Sequence, residues 1–130
     1  MTPAPSIADL ERITETAFLA LPDAVRARCD TLVIRVEEEA NEETLAAMGI
    51  ENPYDLTGLY DGIPLTEKSI SDPLPHPDVV LLYRRAILWE WIDRGDVTLE
   101  ALTTHVLIHE IAHHLGWTDD DIAAIDRWWE

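Results

Sequence analysis

The chain has 130 residues, with 26 Asp plus Glu against 9 Lys plus Arg, a formal net charge of −17. That length suits one domain, expected over residues 1–130, and 47% hydrophobic residues supply a core that excludes wholesale disorder. The acidity excludes a nucleic-acid or anionic-membrane surface, and the single cysteine, Cys29, excludes an internal disulfide or a thiolate metal cluster.

The first ten residues are polar and proline-bearing, without the basic start and apolar run of a secretory leader. No stretch approaches the ~18 apolar residues of a membrane helix. A cytoplasmic protein is expected, and a monomer. Ser6, with Asp9 three residues on, marks a helix start. Leu10, Ile13, Ala17 and Leu21 follow at helical spacing up to Pro22. Pro22 opens a second short helix through Cys29. Thr31 to Val36 is β-branched and apolar and predicts a buried strand. The acidic run from Glu37 to Glu43 predicts a solvated loop and a helix start.

Residues 49 to 77 hold most of the glycine and proline and predict loops around one short strand, Leu56 to Tyr60. Asp78 to Tyr83 predicts another strand, and Arg84 to Arg94 a helix stopped by Gly95. Thr98 caps a long helix from Leu99 to Leu115, terminated by Gly116. A last short helix is expected from Thr118. The tryptophans at 89, 91, 117, 128 and 129 are expected in helix packing. The fold class is therefore α+β, a small sheet of about three strands against helices.

Chemistry concentrates in the long helix. His109, Glu110 and His113 form the pattern H-E-x-x-H. At ~100° per residue the two histidines lie only ~40° apart, one turn above the other. Two imidazoles so placed can reach one metal ion at the ~2.0–2.1 Å of zinc–nitrogen bonds. Glu110 lies ~100° round from His109, close enough to take a proton from water at the metal without displacing it. On the helical wheel both histidines share a stripe with Leu102 and Val106, which predicts that they face the interior.

Gly116 and Asp119 extend the pattern to H-E-x-x-H-x-x-G-x-x-D. A left-handed glycine lets the chain turn back, so Asp119 is the expected third ligand, with Asp120, Asp121 or His105 as alternatives. His114 faces away from both ligands and is expected to pack or hydrogen-bond. His76, between two prolines, is expected at the surface. Tyr60 and Tyr83 are candidates for polarising a substrate carbonyl.

These features resemble the small bacterial zincin-like metallopeptidases, whose whole chain is a minimal catalytic domain. The resemblance spans roughly residues 20 to 125. It rests on Leu21-Pro22, on the strand at 31–36 with its acids, on the G-L-Y-D-G-I-P-L segment from Gly58 to Leu65, on Pro77 to Arg84 and on His109 to Asp121. It implies a zincin-like fold with a central active-site helix, zinc at His109 and His113, Glu110 as general base and a peptide or protein as substrate. The chain departs from larger metzincins in carrying Asp119 rather than a histidine at the third-ligand position, and no methionine after the helix. The rival expectation is a non-catalytic metal-binding or protein-interaction module that keeps the fold. A structural zinc would take four protein ligands, whereas a catalytic one keeps a position for water.

Overall fold

A computed structural model describes residues 4–62 and 78–117. Helix α1 (Ile7–Leu19) begins with a reciprocal cap. The Ser6 hydroxyl accepts the Asp9 backbone N–H, and the Asp9 carboxylate accepts that of Ser6. Leu10, Thr14 and Ala17 are its buried face. The helix stops two residues short of Leu21, which is still buried in the core beyond the helix end. Pro22 then caps α2 (Asp23–Ala27).

Strand β1 (Leu32–Glu37) is not buried throughout, as its apolar run suggested. Half-buried and exposed residues alternate along it, and Val33 is 42% exposed. The reason is its place in the sheet: β1 is at an edge, with only one face on the core. The acidic run forms the expected exposed loop and helix start. Asn41 caps a two-turn helix, α3 (Glu42–Met48), its side chain accepting the Thr44 N–H. Glu42 and Glu43 place negative charge at the positive end of that helix. Glu38 meets Arg84 and Arg85 at 3.2 Å, an exposed contact that adds little stability.

A 3₁₀ turn (Pro53–Asp55) leads into β2 (Gly58–Asp61), which starts two residues later than the sequence suggested. Leu56 is used instead as a buried anchor beside Tyr83 and Ala86. Strand β3 (Asp78–Tyr83) is the centre of a mixed sheet in the order β1-β3-β2, parallel to β1 and antiparallel to β2. Its position explains its near-continuous burial. Helix α4 (Arg84–Arg94) ends at Gly95 in the left-handed region. Of its tryptophans, Trp91 packs against the core and donates its indole N–H to the Val97 carbonyl, while Trp89 is exposed beside Tyr54.

Helix α5 (Leu99–Leu115) crosses the middle of the molecule. Thr98 caps it, accepting from the Ala101 N–H at 3.0 Å, and Gly116 ends it at φ 76°. It packs against α1, α4, β2 and β3, burying Leu102, Val106, Leu107, Ile111 and Leu115 almost completely. Each such side chain contributes about 1.5–3 kcal/mol of hydrophobic stabilisation, so the helix register is firmly set. No helix among the described residues is long and apolar enough to cross a membrane. The helix expected from Thr118, together with His76, Trp128 and Trp129, lies outside the described residues.

Candidate metal and catalytic site

The register of α5 divides its polar residues into two rows. His105, His109 and His113 follow one another at four-residue intervals, and so do Val106, Glu110 and His114. In the first row the His109 and His113 rings stand 4.8 Å apart, edge to face, and the His105 and His109 rings 6.3 Å apart. One potential ligand atom from each of His109, Glu110 and His113 lies within 4.8 Å of the others. Two imidazoles side by side are ligands that suit zinc, and the carboxylate stands next to them. His109 and His113 are partly exposed rather than deep in the interior. Their stripe leaves the core at this end of the helix, which gives a metal or a substrate access.

The second row faces β2, and here the close approach depends on glycine. A Cβ at Gly58 would stand 2.6 Å from the Val106 side chain and 3.3 Å from the Glu110 Cγ. The Tyr83 N–H donates to the Thr57 carbonyl at 2.9 Å, so 57/83 is a hydrogen-bonded pair. By antiparallel alternation 59/81 and 61/79 are too, which turns the peptide groups of Gly58 and Tyr60 away from β3, toward the other side of β2. There the Tyr60 N–H donates to the Glu110 carboxylate. Burial nevertheless dominates and raises the Glu110 pKa to about 7, with the Tyr60 bond opposing it. A carboxylate titrating near neutrality is well matched to taking a proton.

His114 ends this row and is fully buried. Its Nε2 donates to the Arg28 carbonyl at 3.0 Å. Its Nδ1 lies 3.1 Å from the Tyr60 hydroxyl and 3.4 Å from Asp78 Oδ2. The expectation of a hydrogen-bonding His114 is met, and Asp78, 2% exposed at the head of β3, is its unforeseen partner. Burial, followed by the Asp78 charge and hydrogen bond, drives the Tyr60 pKa well up and keeps its hydroxyl protonated. That hydroxyl is thus engaged by His114 and Asp78. Tyr83 is 1% exposed, and its pKa is pushed up to about 12, first by burial and then by carboxylates that include Glu110.

Asp119, Asp120 and Asp121 lie outside the described residues. Gly116, at φ 76°, does adopt the left-handed turn expected to lead toward them. The signal for the second row was present in the sequence as Gly58-x-Tyr60-x-Gly62, whose period of two puts all three residues on one side of a strand. A buried acid opening an apolar strand, Asp78, was the other clue.

A search of curated proteins finds no match to this chain. A family model described as zincin-like metallopeptidase matches residues 29–129, covering both rows of α5, all three strands and the carboxylates after Gly116. The chain belongs to the zincin-like metallopeptidase family.

Proposed function

We propose that the protein is a zinc-dependent peptidase that hydrolyses peptide bonds. His109, His113 and Asp119 hold the metal, and Glu110 is the general base. Zinc at this position supplies the positive charge that acidifies water and polarises a carbonyl. The carboxylate of Glu110, fixed against the edge of β2, takes the proton and passes it to the departing amine. The observation that carries this reading is a half-buried carboxylate with a pKa of about 7, gathered with two imidazoles on one helix.

The edge of β2 suits a peptide substrate. Among the described residues, Gly58 turns both its N–H and its C=O away from β3, on the side where a further strand would pair. An extended substrate laid there runs past Glu110. Replacing Glu110 with Gln keeps the shape and removes the base. Hydrolysis of a fluorogenic peptide mixture by Glu110→Gln should fall by about 10²–10⁴ while zinc remains bound. Wild-type rates in that variant would refute the mechanism.

A further inference from the structure

The Gly58-x-Tyr60-x-Gly62 segment supplies none of the proposed metal ligands, yet its alternate residues meet the Val106–Glu110–His114 row one by one. Gly58 lies against Val106 and Glu110. Tyr60 reaches Glu110 with its backbone and His114 with its hydroxyl. Gly62 lies where any Cβ would collide with the Asp78 carboxylate and approach the Tyr60 hydroxyl to 2.8 Å. The two glycines thus clear space at both ends for one tyrosine to be gripped from several sides.

The grip is rigid. Its members come from separate elements: Tyr60 from β2, Asp78 from β3, His114 from α5 and the Arg28 carbonyl from the end of α2. His114 and Asp78 are fully buried, so these bonds are not exchanged for water. Holding the Tyr60 ring fixes the peptide plane that carries its N–H. We propose that Tyr60, clamped at its hydroxyl by His114 and Asp78, is the positioning residue that holds the Glu110 carboxylate beside His109 and His113. It acts through its backbone N–H. The proposal rests on the peptidase reading for its purpose, but not for its test.

The test is residue-resolved amide hydrogen exchange by NMR on the full chain, with and without added zinc. The Tyr60 amide is turned away from β3 and bonds Glu110, whereas the Leu59 amide is bonded to β3. Removing the hydroxyl with Tyr60→Phe, or weakening the clamp with Asp78→Asn, should speed exchange at position 60 at least about tenfold and leave Leu59 unchanged. Glu110→Ala should do the same. Glu110→Gln, which keeps an acceptor oxygen, should restore slow exchange. Zinc stoichiometry should stay the same in Tyr60→Phe.

Unchanged exchange at position 60 in folded Tyr60→Phe would overturn the proposal, as would equal acceleration at Leu59. Tyr60→Phe removes a single oxygen, so it decides the matter even if Asp78→Asn does not fold. No substrate enters the measurement. A wild-type protein that hydrolyses nothing would therefore count against the peptidase reading and leave this result standing.

Discussion

The two polar rows of α5 lie side by side on one helix and are built in opposite ways. The His105–His109–His113 row is spaced by the helix itself, and all three of its residues are partly exposed. The Val106–Glu110–His114 row is completed by residues far away in the chain: Tyr60 lies 54 positions from His114, and Arg28 lies 86. One row stands partly exposed where its stripe leaves the core. The other is closed by the protein itself. Glu110 is the residue where they meet, collected with the histidines and tethered to β2. The two rows thus set a tethered carboxylate beside two partly exposed imidazoles.

If the rows differ in this way, truncating each should have unequal consequences. In protein stripped of metal by chelation, His114→Ala should cost about 3 kcal/mol or more. It leaves a cavity and strands the buried Asp78 carboxylate without its imidazole. His113→Ala under the same conditions should cost about 1 kcal/mol or less, because that side chain is only partly buried. Urea unfolding of both variants measures the difference, and equal costs would erase the distinction between the rows.

A smaller effect concerns pH. Burial raises the Glu110 pKa from 4.5 to about 7 in the folded chain, so the folded state holds its proton more tightly than the unfolded state does. Its contribution is neutral below about pH 4.5 and becomes destabilising as pH rises toward 7. Above that it reaches at most about 3 kcal/mol. Glu110→Gln removes the group, so metal-free variant and wild type should converge in acid and the variant should be the more stable at pH 8. Parallel stability curves across that range would mean that Glu110 is not desolvated by its setting.

The same contrast separates what the sequence shows from what only the fold shows. His109, Glu110 and His113 were legible because helical geometry fixes the relation between residues three and four apart, and Thr98 and Gly116 mark the helix ends. Strand β3 was legible from its apolar run. The partial exposure of His109 and His113 was not, since a wheel gives directions round an axis but not where the neighbouring layer ends. Nor was the exposed face of β1, whose Val33 looks like core until its edge position is known. The clamp was the least legible part. Nothing local to His114 points to Tyr60, Asp78 or Arg28; the hints were the alternation of glycines around Tyr60 and the acid that opens β3.

The most direct test of the account is the zinc content of the purified full-length protein, measured beside His113→Ala and Asp119→Ala. The account predicts stoichiometric zinc in the wild type and its loss in both variants, with His114→Ala, where folded, retaining the metal. Zinc absent from wild type, or undiminished in His113→Ala, would contradict it.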